Sequence, residues 1–140
     1  MKTNSTINQK YQNSHITPKE LHRIWWQLHE LLESNPNLWL ASTSLKEFCV
    51  LLKTNQKYFS QTVNQATGFS TNTLIHCYRM EAFLEKLRAE EFKIKTIEGL
   101  QLEVGFKNRS SFYSAFRKLM GCQVTDFIAQ IKSDDEESCL

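Results

Sequence analysis

The sequence predicts an all-α fold of about seven helices, in which two helix-turn-helix motifs are joined by a long linker helix. Three observations lead there. Apolar residues recur at i, i+3, i+4 and i+7 in several segments, the spacing of helices with one buried face. Ser, Thr and Asn stand just ahead of those stripes as helix caps, and Gly68 and Gly121 stand just after two of them as stops. The pattern also repeats. At an offset of 53, Asn55 falls on Asn108, Phe59 on Phe112, Val63 on Phe116 and Gly68 on Gly121. The helices ahead of them match at an offset of 52, Leu45 with Ile97 and Phe48 with Leu100, so the second turn is one residue longer.

Residues 1–16 are rich in Asn, Gln, Ser, Thr and Lys, with only Ile7, Tyr11 and Ile16 to bury, and are expected to be a disordered lead-in. Residues 17–37 hold an N-terminal capped helix. Thr17-Pro18-Lys19-Glu20 combines a cap, a proline at the first helical position and a Glu at the third, which predicts a capping box. Leu21, Ile24, Trp25, Leu28 and Leu32 form its stripe, Trp26 lies off it, and Asn35-Pro36-Asn37 ends it. His15, His22 and His29 recur every seven residues, but neighbours would lie roughly 10 Å apart along a helix, too far to share a metal. They read as polar surface positions.

A two-motif domain spans residues 38–132. Leu38, Trp39 and Leu40 form an apolar connector expected to pack beneath the first motif, residues 44–68. Ser44-Leu45-Lys46-Glu47 is a second capping box, and Leu45, Phe48, Cys49 and Leu52 face the core. Lys53-Thr54-Asn55 is the turn. The following helix turns Phe59 and Val63 inward and leaves Gln56, Lys57, Ser60, Gln61, Asn64 and Gln65 outward. This outer face has no carboxylate, and its amides suit adenine edges. A polar face is also what any surface helix shows; its position-for-position match to the second motif favours the functional reading.

The linker helix, residues 71–90 with Ser70 or Thr71 as cap, carries Leu74, Ile75, Tyr78, Ala82, Phe83 and Leu87 among charged residues. At roughly 28 Å it can hold two reading helices about one duplex turn apart. Arg79 reads as a phosphate contact or, better, as half of an ion pair with Glu81, Glu103 or another acid. The second motif, residues 96–121, starts at the cap Thr96, and Ile97, Leu100 and Val104 mark its first helix. Gly99 there costs about 1 kcal/mol relative to Ala, so a close neighbour is expected. Its second helix, capped by Asn108, buries Phe112, Ala115, Phe116 and Leu119 and presents Arg109, Ser110, Tyr113, Ser114, Arg117 and Lys118. Those are donors or donor-acceptors, suited to phosphates and base edges. Thr125 is read as the cap of a last helix with Phe127, Ile128 and Ile131 inward, and residues 133–140 as a disordered acidic tail.

The formal charge of +2 is unevenly placed: residues 45–132 hold 13 basic against 8 acidic side chains, and Asp134-Asp135-Glu136-Glu137 offsets most of that excess. Cys49, Cys77, Cys122 and Cys139 form no C-x-x-C pair and no Cys-His cluster at zinc spacing, so no metal and no cofactor is expected. Residues 1–14 lack the apolar core of a secretory signal, and no run reaches the roughly 18 apolar residues of a membrane helix, which predicts a cytoplasmic protein. No nucleophile has a base at helical or loop spacing and no Gly-rich phosphate loop exists, so an enzyme is not expected.

Glu103-Val104-Gly105-Phe106, Ser111-Phe112-Tyr113-Ser114-Ala115-Phe116-Arg117-Lys118, Gly121 and Phe127 resemble the AraC/XylS family of bacterial transcription regulators in its DNA-binding domain of two homeodomain-like units. Asn55 to Gln61, Asn64, Gly68 and Tyr78-Arg79 resemble its first motif, and the likeness covers about Leu38 to Ile131. Lys10 to Ser14 with the capped helix resembles the lead-in to the output domain of membrane-sensor members, so the chain is expected to be either a short regulator or a fragment. The resemblance implies that Lys57, Ser60 and Gln61, with Gln56 beside them, meet bases in one groove, and Arg109, Ser110, Tyr113 and Ser114 in the next. Lys107, Arg117 and Lys118 are read as phosphate contacts from charge and position. The implied partner is double-stranded DNA, with RNA polymerase or an upstream sensor domain as further candidates and self-association left open. Departures are Val124 in place of Pro, Gly99 and Gln101 in place of Ala, Thr71 in place of an apolar residue and Ile128 in place of a basic one. The alternative function is a helical protein-interaction module that uses a surface of Trp25, Trp26 and Trp39, its DNA face having decayed.

Overall fold

The computed structural model describes residues 15–40 and 43–138, and among these there are seven α-helices and no strand. The helices are α1 (Pro18–Ser34), α2 (Leu45–Leu51), α3 (Gln56–Thr67), α4 (Thr71–Arg88), α5 (Ile97–Glu103), α6 (Arg109–Met120) and α7 (Val124–Ser138). Short 3-10 turns lie at Pro36–Leu38 and Glu91–Lys93. The described residues divide into two compact units, residues 15–39 with 43–75, and residue 40 with 76–138. The boundary between Ile75 and His76 falls inside α4.

Local chemistry sets the helix starts. The Thr17, Asn55, Thr96 and Asn108 side chains each accept a backbone N–H from the first turn of the helix that follows, and Ser44 completes the capping box with Glu47. Ser70 Oγ accepts from Thr73 N at 3.1 Å, which makes it, rather than Thr71, the cap of α4. Gly68 and Gly121 end α3 and α6 at φ +78, a left-handed conformation that glycine enters without strain.

The first unit buries Ile24 and Leu28 of α1, Trp39, Phe48, Cys49 and Leu52, then Phe59, Val63 and Ile75. Trp39 and Phe48 rings lie 4.8 Å apart. Arg23 ties α1 to the first turn, its Nη1 donating to the Leu52 carbonyl at 3.1 Å. In the second unit Phe83, Phe106, Phe112 and Phe116 form an aromatic centre, with Phe83 and Phe112 centroids at 4.8 Å and Phe106 and Phe112 at 5.3 Å. Met80, Leu87, Leu100, Val104, Ala115, Val124 and Ile128 close it.

Several expectations change. The capping box at Thr17 is half made: Thr17 accepts from Glu20 N, but the Glu20 carboxylate pairs with the Arg23 guanidinium. A charged donor one turn along outcompetes the backbone N–H. Thr125 lies within the first turn of α7, because Phe127 N already donates to the Gln123 carbonyl at 3.0 Å. Residues 133–138 continue α7 rather than forming a disordered tail, with no Gly or Pro to break the helix before Ser138. Leu119 is 37% exposed, at the edge of the stripe instead of inside it. The close neighbour of Gly99 is its own cap: a Cβ there would meet Thr96 Oγ1 at 3.2 Å. Trp39 is interior at 3% exposure and Trp25 packs on the same core, so the three tryptophans do not form one surface. The lead-in expected at residues 1–16 lies outside the described residues except for His15 and Ile16.

Candidate nucleic-acid interface

The two helix-turn-helix turns are built alike. After α2, Lys53 N donates to the Val50 carbonyl and Thr54 N to the Cys49 carbonyl; after α5, Gly105 N donates to Leu102 and Phe106 N to Gln101. Each pair satisfies orphan carbonyls at a helix end, and each needs a left-handed residue at its centre. That residue is Lys53 at φ 52 and Gly105 at φ +98. The register at offset 52 persists through Thr54 and Phe106, so Lys107 is the residue added to the second turn.

Only glycine fits position 105. A Cβ there would stand 2.6 Å from the Leu40 carbonyl oxygen and 2.8 Å from Arg79 Nε. Gln101, a departure from the family pattern, is buried, and its Nε2 donates to the Phe106 carbonyl at 3.2 Å across the turn. The departures Thr71, Val124 and Ile128 are interior as well. None of the four can be read as a surface contact.

Helix α6 turns Phe112, Ala115 and Phe116 into the core. The opposite side exposes Arg109, Ser110, Ser114, Arg117 and Lys118, with Lys107 exposed just ahead of it. Tyr113 is half-buried, its ring 5.5 Å from that of Phe112, and the Arg109 guanidinium lies 5.3 Å from the Tyr113 ring. Stacking one turn apart holds the arginine fork in place before any partner arrives. Asn108 Oδ1 accepts from Ser110 N at 2.8 Å, so the N-terminal end of the face is fixed by its cap. The helix holds no carboxylate. Its face is therefore uniformly receptive to acceptors.

Helix α3 matches this only in part. Gln56 and Lys57 are exposed and Ser60 is half-buried, but Gln61 is 7% exposed. The expectation that Gln61 points outward is corrected. It lies about 200° around the helix from Phe59, and Thr62 and Val63 are buried too, so α3 is covered on more than one side. Its counterpart Ser114 stays exposed.

Sequence reasoning did not single out His76. It stands three residues before Arg79 on α4, and its ring lies 5.4 Å from that of Phe106. Burial first, then the charges of Arg79 and Lys118, hold its imidazole below the usual range. The i, i+3 spacing of His76 and Arg79 was the available signal, though only if Phe106 was known to lie beneath them. Arg79 is half-buried with its guanidinium 5.9 Å from the Phe106 ring, and burial lowers its pKa. Glu103, one of the acids expected beside it, is engaged by Lys86 at 2.9 Å and Lys95 at 3.0 Å.

No group of His, Cys, Asp and Glu among the described residues could hold a metal ion, and no helix there is long and apolar enough to cross a membrane. No curated protein and no solved structure matches the chain. A helix-turn-helix domain family matches residues 48–130, more than half of the length, and the match takes in both turns and both polar helix faces. The chain thus belongs to the AraC-type helix-turn-helix family, whose members are non-enzymatic DNA-binding domains of transcription regulation.

Proposed function

We propose that this protein is a sequence-specific transcription regulator that reads two successive major grooves of double-stranded DNA, one with α3 and one with α6. The observation that carries this reading is the carboxylate-free face of α6, where Arg109 is stacked on Tyr113 beside exposed Ser110 and Ser114. Arg109 suits the bidentate acceptor pair of a guanine, and the hydroxyls suit neighbouring bases. Gln56, Lys57 and Ser60 do the corresponding work on α3. Gln61, being buried, positions that helix instead of touching bases. Lys107, Arg117 and Lys118 hold phosphates, which fixes register and gives a steep salt dependence. The protein acts in the cytoplasm, and RNA polymerase or a sensor domain is its further partner.

Substitution of one residue separates base reading from charge. On the duplex that the protein prefers, Arg109→Ala is expected to cost about 1–3 kcal/mol and to relax the preference at one base pair. Equal weakening on every duplex would make Arg109 a phosphate contact.

A further inference from the structure

The reading above leaves His76, on α4 in the second unit, without a role. Its imidazole and the Arg79 guanidinium share a face of α4 and have one floor, the Phe106 ring, at 5.4 Å and 5.9 Å. That floor is rigid. Phe106 is 2% exposed, packs on Phe112, and has its carbonyl held by the buried Gln101 amide. From α6, Lys118 lies close enough for its charge to act on His76. Two groups able to carry positive charge thus share the Phe106 floor, and the charge of Lys118 on the recognition helix bears on the first of them.

We propose that His76, Arg79 and Lys118 together form a binding site for one phosphodiester group of the duplex backbone, flanking the groove that α6 enters. The site rests on the DNA-binding reading and adds a consequence to it. In the free protein, burial and two like charges keep His76 neutral near neutral pH. A phosphate set among the three groups offsets those charges and favours the imidazolium, which can donate to it. The imidazole pKa is then higher in the complex than in the free protein. Linkage fixes the sign: affinity is greatest below the free-state pKa and falls as pH rises through the bound-state pKa.

The test measures affinity for the selected duplex at fixed ionic strength, for the wild type and His76→Gln, while the His76 ring resonance is titrated with and without duplex. Between about pH 8 and about pH 6 the wild type should gain about fivefold to tenfold, His76→Gln under about twofold, and duplex should move the His76 midpoint upward. His15, His22 and His29 all belong to the first unit, so a slope retained in His76→Gln would assign the linkage there and overturn the site. A midpoint that duplex leaves in place or lowers would overturn it as well, whether or not the variant folds. If inorganic phosphate alone moves the midpoint as far as duplex does, the site takes free phosphate and is not a backbone contact. Failure of the wild type to hold any duplex would remove the DNA-binding reading, and the site with it.

Discussion

At positions 53 and 105 the backbone makes the same left-handed turn with different residues, and the two should respond to substitution in opposite ways. Lys53 holds φ 52 with a Cβ in place, a conformation that costs an L-residue about 1 kcal/mol or more. Lys53→Gly should therefore raise the unfolding free energy by a few tenths to about 1 kcal/mol, after allowance for the entropy of the unfolded glycine. Gly105→Ala combines an unfavourable φ with a 2.6 Å overlap on the Leu40 carbonyl, and should cost at least about 2 kcal/mol. Urea unfolding of both variants checks this, and an unchanged midpoint for Gly105→Ala would show that the close approach does not exist. Gly105 is visible in the sequence only as part of the family-like motif, because the Leu40 carbonyl above it comes from far along the chain. For the same reason Gln61 could not be placed: its residue type and helical phase say polar and outward, and only tertiary packing buries it.

Helix boundaries were legible where their cause is local. Ser44, Asn55, Thr96 and Asn108 cap as their sequence contexts indicate, because the bonded N–H lies two or three residues away. The bond made by Glu20 is not legible in the sequence because Arg23 competes for it, nor is the helix over 133–138, because a run of acids says nothing about what continues a helix already begun. Between elements, one ionic cluster joins the end of α4 to the 3-10 turn and to α5. Lys86 and Lys95 each bridge Glu91 and Glu103. Hydrogen bonding to the lysines, chiefly Lys95 for Glu91 and Lys86 for Glu103, holds both carboxyls below their usual pKa. Depressed carboxyls add stability that is complete above the unfolded-state value of 4.5 and disappears as pH falls through the folded-state values. Glu103→Gln should accordingly flatten part of the acid limb of a thermal melting curve, and added salt should shrink the difference because all four groups are partly exposed. If wild type and variant lose melting temperature in parallel on acidification, the cluster contributes nothing.

For the molecule as a whole, charge placement and the repeat carry the function. The basic excess of residues 45–132 coincides with two motifs that share turn hydrogen bonding, caps and stops, yet differ in how much of the polar face they expose. On α6 all of Arg109, Ser110, Ser114, Arg117 and Lys118 are exposed, whereas α3 loses Gln61 to the interior. If both helices read bases as proposed, unequal contributions to sequence choice are expected, with the α6 half-site the more stringent. The repeat made the motif count readable from sequence, and the lack of carboxylates on the α6 face made its ligand class readable. The asymmetry was not, since it arises from burial. The most direct test of two-groove reading is selection of the protein against a randomised duplex pool at near-physiological salt, with sequencing of the retained DNA. Two blocks of preference about one helical turn, roughly 10 base pairs, apart are the expected result, the sharper one relaxed at one base pair in Arg109→Ala. Flat enrichment, with retention that vanishes as salt rises, would leave charge alone as the basis of binding and contradict sequence-specific reading by these two helices.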